Sequence, residues 1–470
     1  MSSQLYALTI AEAMTLLRKK EVSPVELLDS VLQRLEETED RVHAYTVVTK
    51  ESAYTAAEQA EREIARGESK GPLHGIPLAL KDLLYTTGVP TEAGSRVLAG
   101  FIPPYDSTVT TRLKESGAIL IGKTVTQEFA YGMNIPSTRN PWDLERWPGG
   151  SSAGSAVAVA VDSAMGAIGT DTGGSIRVPS SLNGVVGLKP TFGRVSKHGV
   201  IPMSTTMDHC GPITKTVEDA ALLMNVIAGY DPHDTTSLNV PVPDFTDGLD
   251  RGIAGLRLGV ERNHFFYSEV LPAVRRAVES ALSVLESQGA TLVDVEIPYL
   301  EYAPHAGLTL IMVDTSSYHQ AWLRERPEEY DPRTRFMLEV GEFILATDYL
   351  RALQVRKLFK GAMKEVFDTH RLDALVTPTI PITTVPVNEM SVTIIDMEDD
   401  GETILPALVH HCTPFNLSGQ PALTLPCGFD DNRLPIGLQI VGRPFDEPTV
   451  LRIGYTYESA TSWHREAPPI

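Results

Sequence analysis

Residues 149–177 read GGSSAGSAVAVAVDSAMGAIGTDTGGSIR, two clusters of serine and glycine separated by two apolar runs. The first run, AVAVAVD (156–162), predicts a helix, and the second, AMGAIGTD (164–171), predicts a buried strand. In α/β folds, ligands bind where such strands end. The block therefore predicts a helix, a strand and then a functional loop at residues 172–175.

Similar apolar runs bracketed by glycine and proline recur along the chain and have the composition of buried strands. They are GIPLALKD (75–82), GAILIGKT (117–124), GVVGLKP (184–190), RLDALVTPT (371–379), PALTLPCGF (421–429) and LPIGLQIVG (434–442). Helix-like segments alternate with them, and two capping-box patterns, starting at Thr9 and Ser23, predict helices near the N-terminus. The alternation predicts an α/β fold in which the late strands rejoin the early sheet.

The chain is expected to form one domain, residues 1–470, with four regions. These are an N-terminal helical region (1–70), a catalytic core (about 71–235), a variable, mostly helical region (about 255–370) and C-terminal strands (371–470). The Pro- and Asp-rich stretch 240–255 is the best candidate for a linker. Residues 331–370 are expected to form a long helix.

Composition excludes several functional classes. The chain has 470 residues, 42% of them hydrophobic and 21% charged, with a formal net charge of −20. So acidic a chain is not expected to bind nucleic acid or an anionic membrane. Three scattered cysteines do not make a disulfide framework. No signal peptide or membrane span is visible, which predicts a cytoplasmic protein.

No metal or other cofactor is expected. The only candidate cluster, His410-His411-Cys412, consists of adjacent residues with no second group of ligands elsewhere in the sequence.

The glycines around Ser175 suggest chemistry at the main chain. Without side chains at Gly173 and Gly174, consecutive N–H groups can face an open site and stabilise a developing oxyanion.

A serine nucleophile also needs a base, and no histidine lies in a matching local pattern. Lys81 ends the apolar run GIPLALKD, where burial would lower its pKa. To be half neutral near pH 7, it must lose about 3 pKa units, or about 4 kcal/mol. In isolation, the pattern favours an ion pair between Lys81 and Asp82.

The two serine-glycine clusters and GIPLALKD resemble the defining segments of the amidase signature family. GPITKTVEDAALLMNVIAG and LPIGLQIVGRPFDEPTVLRIGYTYE also look like family segments, so the likeness covers nearly the whole chain. The resemblance implies a large central mixed β-sheet flanked by helices on both faces. It also implies a Ser–cis-Ser–Lys triad of Ser175, Ser151 and Lys81, with a cis peptide bond before Ser151.

The resemblance further assigns the oxyanion hole to the N–H groups of Thr172, Gly173, Gly174 and Ser175. Gly150 and Ser152 are expected to support the triad. Asp171 and Arg177 are expected to hold the loop by hydrogen bonds rather than to react. Tyr131, Gly132 and Met133 are candidates for the acyl pocket, with ordinary packing as the alternative.

Three functions remain open. The first is a standalone hydrolase that cleaves an amide, anilide or carbamate of a small hydrophobic or aryl molecule, acting as a single chain or a homodimer. The second is the amidase subunit of a tRNA-dependent amidotransferase, which works with a partner. Residues 314–357 resemble the standalone enzymes more closely. The third is an α/β-hydrolase esterase using Ser152 in a Gly-x-Ser-x-Gly elbow, although no apolar strand precedes that serine.

Overall fold

The structure is a computed structural model that describes residues 4–131, 134–267, 270–387 and 404–470. Gly132 and Met133 lie outside the described residues. The strands are β1 (Tyr45–Val48), β2 (Pro77–Lys81), β3 (Ile119–Thr124), β4 (Gly166–Asp171), β5 (Val186–Lys189), β6 (His209–Thr214), β7 (Arg257–Val260), β8 (Thr291–Asp294), β9 (Ala374–Pro378), β10 (Ala422–Phe429) and β11 (Pro435–Gly442).

The α-helices of the described part of the chain surround this set of strands. They are α1 (Ile10–Lys19), α2 (Pro24–Val42), α3 (Lys50–Ala65), α4 (Thr108–Glu115), α5 (Ala153–Ala160), α6 (Arg177–Asn183), α7 (Val217–Ile227), α8 (Pro272–Ser287), α9 (Ala303–Glu325), α10 (Pro332–Glu342), α11 (Ala346–His370), α12 (Ile404–Ser418) and α13 (Glu447–Ser459).

All the strands form one 11-stranded sheet in the order β1-β3-β2-β4-β6-β5-β10-β11-β9-β7-β8. Strand β2 runs parallel to β3 and β4, whereas β6 is antiparallel to β4 and β5, so the sheet is mixed. Strand β10 pairs with β5, which places the C-terminal strands in the same sheet as the early ones. The predicted α/β fold with a large mixed sheet is confirmed.

The central strands are covered on both faces. Every residue of β2, β4, β5, β6, β9 and β11 is buried. Successive side chains of a strand point to opposite faces, so burial of all of them requires packing on both sides. This arrangement explains why their sequences are continuous apolar runs rather than alternating ones.

Local sequence signals account for the first helices. Thr9 accepts a hydrogen bond from the Glu12 N–H and the Glu12 side chain accepts one from Thr9, which completes the predicted capping box of α1. Ser23 and Glu26 make the same pair of bonds at the start of α2, with Pro24 at the first helical position. Each cap satisfies backbone donors that a helix leaves unpaired at its N-terminus.

The single long helix expected over 331–370 is wrong: the segment forms two helices, α10 and α11. Leu345, between them, has an extended backbone with φ −71° and ψ 146°. Gly341 packs against α9 so closely that a Cβ there would lie 2.0 Å from Ser316 Oγ. This tertiary contact brings α10 against α9, and no local helix signal reveals it.

No helix in the described ranges is both long enough and apolar enough to cross a lipid bilayer.

Candidate active site

Lys81, the last residue of β2, lies at the centre of the predicted site and is completely buried, with 0% exposure. Its Nζ donates hydrogen bonds to Ser151 Oγ at 2.7 Å, Ser152 Oγ at 2.9 Å and Thr170 Oγ1 at 2.8 Å. All three acceptors are neutral hydroxyl groups. The predicted contact between Lys81 and Ser151 is therefore present.

Burial lowers the pKa of Lys81 to about 7, although nearby Asp171, Cys210 and Asp208 act in the opposite direction. Three neutral acceptors do not offset the loss of hydration that an ammonium group suffers in the protein interior. A substantial fraction of Lys81 is consequently neutral near pH 7 and able to accept a proton.

The alternative role for Lys81, an ion pair with Asp82, is not observed. Asp82 Oδ1 instead lies 3.6 Å from the Nζ of Lys123 on the neighbouring strand β3. Lys81 and Asp82 are adjacent in sequence and, because their side chains diverge, they serve different networks.

The peptide bond between Gly150 and Ser151 is cis, as the resemblance implies. Gly150 is tightly enclosed, since a Cβ at this position would lie 2.3 Å from Gln127 Oε1. The Gln127 N–H donates to the Ser151 carbonyl at 3.3 Å. These contacts fix the short segment that carries Ser151.

Ser152 is fully buried, and its hydroxyl is engaged on several sides. It accepts a hydrogen bond from Lys81 and donates to the Thr170 carbonyl at 3.1 Å. Residues 134–151, which precede it, contain no strand. The nucleophile elbow required by the esterase interpretation is therefore missing, and Ser152 is placed to support Lys81.

Ser175 follows β4 and is only partly buried. Its carbonyl accepts a hydrogen bond from the Ser152 N–H at 3.2 Å, so the two serine segments are in direct contact. Among the described residues, the Ser175 hydroxyl has no hydrogen-bond partner. It is the one hydroxyl of the predicted triad that an incoming molecule can reach.

Asp171 and Arg177 form a completely buried ion pair, with Arg177 Nη2 2.9 Å from Asp171 Oδ1. Burial alone would raise the pKa of Asp171, but the charge of Arg177 lowers it well below its usual value. Asp171 also accepts the N–H groups of Gly174 at 2.9 Å and Ile176 at 3.1 Å. This geometry matches the expected loop-holding function.

The same geometry changes the expected oxyanion hole. Because the Gly174 N–H donates to Asp171, it is not available to a substrate. Gly174 is still required for space: its φ is +130°, and a Cβ would lie 2.8 Å from Cys412 Cβ. The N–H groups of Thr172, Gly173 and Ser175 have no partner among the described residues and remain the candidate donors.

Tyr131 is buried, and its hydroxyl donates to the Met337 carbonyl of α10 at 3.3 Å. Burial raises the pKa of Tyr131 above its usual value, so it remains a neutral phenol. These contacts agree with the packing alternative. The other two pocket candidates, Gly132 and Met133, lie outside the described residues.

The aromatic residues of the variable region are unequally exposed. Tyr318 and Phe336 are exposed, and Phe343 is 83% exposed. Trp322 instead stacks on Phe129 with ring centroids 6.0 Å apart, and Tyr349 donates to Asp314 at 3.0 Å.

A cavity of about 260 Å³ lies beside the end of β4, and its lining includes Thr170, Thr172, Lys197, Met203 and Asp208. Of these residues, only Thr172 was predicted from the sequence. Two of those that sequence reasoning missed contact the site: Thr170 accepts a hydrogen bond from Lys81, and Asp208 accepts one from Thr172. Asp208 lies just before β6, and because β6 runs antiparallel to β4, the start of β6 meets the carboxyl end of β4, where ligands bind in α/β folds. This strand pairing gave no signal in the local sequence.

In the described part of the chain, no cluster of three or more His, Cys, Asp or Glu side chains has the arrangement of a metal site. His410 stacks on His264 with ring centroids 3.7 Å apart, and Cys412 donates to the Thr379 carbonyl at 3.2 Å. These residues pack within the protein rather than converge on one point.

Comparisons with known proteins agree with this site. The family model described as Amidase matches residues 26–451. An amidase from Pseudomonas putida is 44% identical over 471 aligned residues, covering 100% of this chain and 99% of that protein. A glutamyl-tRNA(Gln) amidotransferase subunit from Chloroflexus aggregans is 42% identical over 497 aligned residues, again covering 100% of this chain and 99% of that protein.

A solved structure extends the comparison to three dimensions. The peptide amidase from Stenotrophomonas maltophilia superposes with a TM-score of 0.85 and 31% identity, covering 98% of each chain. The sheet, the serine-glycine segments and these full-length similarities lead to one conclusion: the chain belongs to the amidase family, whose enzymes act on C–N bonds.

Proposed function

We propose that this protein is a serine hydrolase that cleaves amide-type C–N bonds through an acyl-enzyme, with Ser175 as nucleophile, Ser151 as proton relay and Lys81 as base. The observation that carries the proposal is the 2.7 Å hydrogen bond between Lys81 Nζ and Ser151 Oγ. It joins a buried amine whose pKa is lowered to about 7 by burial to a hydroxyl beside the Ser175 segment.

Acylation begins with neutral Lys81. The amine takes the proton of Ser151 Oγ, Ser151 takes the proton of Ser175 Oγ, and the Ser175 oxygen forms a bond to the carbonyl carbon of the substrate. The carbonyl π electrons move to oxygen, and the N–H groups of Thr172, Gly173 and Ser175 stabilise the resulting oxyanion. When the C–N bond breaks, the proton returns through Ser151 to the leaving nitrogen.

Deacylation repeats the relay with water. Lys81 takes a proton from water through Ser151, the hydroxide oxygen attacks the acyl carbon, and the Ser175 oxygen leaves and recovers its proton. Each half-reaction starts and ends with a neutral amine at Lys81. The complete cycle consumes one water and yields an acid and an amine.

The proposed substrate is a small amide, anilide or carbamate with a hydrophobic or aryl group. An aryl group is proposed because the variable region carries exposed aromatic rings, those of Tyr318, Phe336 and Phe343. A carbamate differs from an amide only by an oxygen beside the carbonyl, so the same relay serves both. Comparable turnover of small aliphatic amides and aryl anilides would contradict the aryl preference.

The function proposed is that of a standalone enzyme, as one chain or a homodimer. In support, the Pseudomonas amidase aligns without substantial insertions, whereas the longer alignment with the amidotransferase subunit requires insertions relative to this chain.

A second candidate function is that of the amidotransferase subunit, favoured by the full-length identity to proteins of that name. Assays of ammonia release from glutamine distinguish the two functions. A chain that releases ammonia only together with a partner protein would overturn the standalone proposal.

The direct test combines a substrate panel with covalent mapping. Purified protein is assayed on aryl anilides, aryl carbamates and primary amides, and is labelled with an aryl fluorophosphonate whose site is found by peptide mass spectrometry. We expect label on Ser175 and loss of both hydrolysis and labelling in Ser175→Ala. Heat-denatured protein, which keeps Ser175 but not its surroundings, is the control and should not react. Label on another serine would refute the assignment.

A further inference from the structure

Asp208 lies outside the predicted triad but contacts the loop that follows β4. The Thr172 hydroxyl donates to Asp208 Oδ1 at 2.6 Å, which is a short bond to a buried carboxyl group. Thr172 is the first residue of the loop after β4, and its N–H is one of three candidate donors to a substrate oxyanion. The contact of the Thr172 side chain with Asp208 therefore affects the position of the Thr172 N–H.

The other hydrogen-bond partners of Asp208 come from the segment that precedes it. Its Oδ1 also accepts the Ser204 N–H, and its Oδ2 accepts the Met203 N–H, both at 3.0 Å. All three partners are donors, so the carboxyl group acts as an acceptor at both oxygens. Asp208 thus ties Thr172 to the 203–204 main chain.

This 203–204 segment is itself fixed to the helical region. The Ser204 hydroxyl donates to Asp314 Oδ2 on α9 at 2.5 Å, and the Thr315 hydroxyl donates to the Met203 carbonyl at 2.9 Å. Asp208 is consequently held by a segment with its own anchors. A firm acceptor of this kind fixes the orientation of its donor, which a solvated carboxylate cannot do.

The loop therefore has two carboxylate supports on different sides. Asp171 holds the N–H groups of Gly174 and Ile176, whereas Asp208 holds the side chain of Thr172. We propose that Asp208 is a positioning residue for the oxyanion hole: it orients Thr172 so that the main-chain N–H groups of the loop meet the developing charge. This inference rests on the proposed hydrolase function, because it assigns a role in that same reaction.

The charge of Asp208 also affects the pKa of Lys81, and this effect can be measured. The groups that act on Lys81 are Asp171 from β4, Cys210 from β6 and Asp208 from the segment that directly precedes β6, and all three raise its pKa against the larger effect of burial. Asp208 in turn faces Lys197, whose charge opposes the increase in the pKa of Asp208 caused by burial. Removing the Asp208 charge should therefore make Lys81 easier to deprotonate.

The experiment uses full-length protein and the fastest substrate of the panel. Thr172→Val keeps the shape of the side chain but removes its hydroxyl, and Asp208→Asn removes the charge. Both are expected to lower kcat about 10-fold to 100-fold with little change in KM, because complete loss of one oxyanion donor costs about 10²–10³ in rate. Thr172→Ser restores the hydroxyl and should recover most of the loss. Tyr349→Phe, which alters only the far side of Asp314, is the matched control and should keep the original kcat.

Two further measurements distinguish a positioning role of Asp208 from a general loss of folded structure in the variants. An aryl boronic acid, which forms a tetrahedral adduct with a serine, should bind Thr172→Val more weakly in proportion to the fall in kcat/KM. The acidic limb of the pH profile should move to lower pH in Asp208→Asn and stay in place in Thr172→Val. If Asp208→Asn does not fold, the comparison of Thr172→Val with Thr172→Ser is sufficient to test the proposal.

The outcomes distinguish this inference from the proposed function. If Ser175→Ala retains the original rate, the hydrolase mechanism fails. If Ser175→Ala is inactive but Thr172→Val keeps its kcat and its boronic acid affinity, the mechanism stands and the role of Asp208 is refuted. A loss that appears in KM alone would refute it equally.

Discussion

Lys81 and Lys123 are buried lysines on adjacent parallel strands, and the difference between them lies in their partners. Lys81 contacts the hydroxyl groups of three neutral residues. Lys123 lies 3.6 Å from the carboxylate of Asp82 and donates to the Leu84 carbonyl and the Thr91 hydroxyl. Burial lowers both pKa values, to about 7 for Lys81 and to about 8 for Lys123, where Asp82 counteracts part of the effect.

The comparison separates the lysine that we propose as the base, Lys81, from a lysine with a structural role, Lys123. Lys81 is supported only by neutral hydroxyl groups and can lose its proton without leaving a buried anion unpaired. Lys123 compensates the charge of Asp82, so its neutralisation would leave a buried carboxylate without a counter-ion. The chemistry therefore follows from the partners of each lysine rather than from its burial alone.

The largest expected effect comes from Lys81→Met, which preserves length but removes the base. We expect kcat to fall by about 10³-fold or more, since base catalysis contributes about 10²–10⁴ and the nucleophile loses its route for the proton. Steady-state assays on the best substrate measure this loss, with circular dichroism as a check of folding. Turnover that survives the substitution would remove Lys81 from the mechanism.

For Lys123→Met we expect a loss of stability rather than a loss of activity. Breaking a buried pair by removing one partner costs about 3 kcal/mol or more of unfolding free energy, and the folded fraction should still hydrolyse substrate. Urea unfolding measures the cost. The double variant Lys123→Met with Asp82→Asn removes both charges and should recover part of it. Unchanged stability in the single variant would show that the pair with Asp82 contributes nothing.

Much of the fold could be predicted because its signals are local. The capping boxes at Thr9 and Ser23 each need only four residues, and the apolar runs become β2, β3, β4 and β5 almost where they are expected. The contact between Lys81 and Ser151 followed from a family resemblance rather than from spacing. Seventy residues separate the two, and no local pattern connects them.

What could not be predicted depends on contacts between distant segments. The Gly174 N–H is an open donor by sequence, but Asp171 takes it once the loop turns back. The acceptor Thr170 enters the site because β4 lies next to β2. The close packing of α10 on α9 at Gly341 likewise joins segments that are distant in sequence. Each of these features requires strand order or helix packing, which local periodicity does not encode.

The pH dependence of activity also distinguishes Lys81 from Lys123, with a smaller expected effect than the two substitutions. In the proposed mechanism the active form of Lys81 is the neutral amine, which predominates above its pKa of about 7. We expect kcat/KM to fall about tenfold per pH unit below pH 7 and to level off above it, as one essential ionisation requires. Lys123→Met should show the same limb, because Lys123 is outside the relay. A flat profile between about pH 5.5 and 9 would contradict a lysine base.

The smallest expected effect is that of Ser152→Ala, which removes one of the three hydroxyl acceptors of Lys81. A hydrogen bond of this kind contributes about 1 kcal/mol, and Ser151 and Thr170 still hold the amine, so kcat should fall about fivefold to tenfold. Fluorophosphonate should continue to label Ser175. Ser163→Ala is the matched control and should keep full activity, because Ser163 is a buried serine just beyond α5 whose hydroxyl donates to the Ala158 carbonyl. If Ser152→Ala lost activity as completely as Ser175→Ala and the fluorophosphonate no longer labelled Ser175, the supporting role of Ser152 would be contradicted.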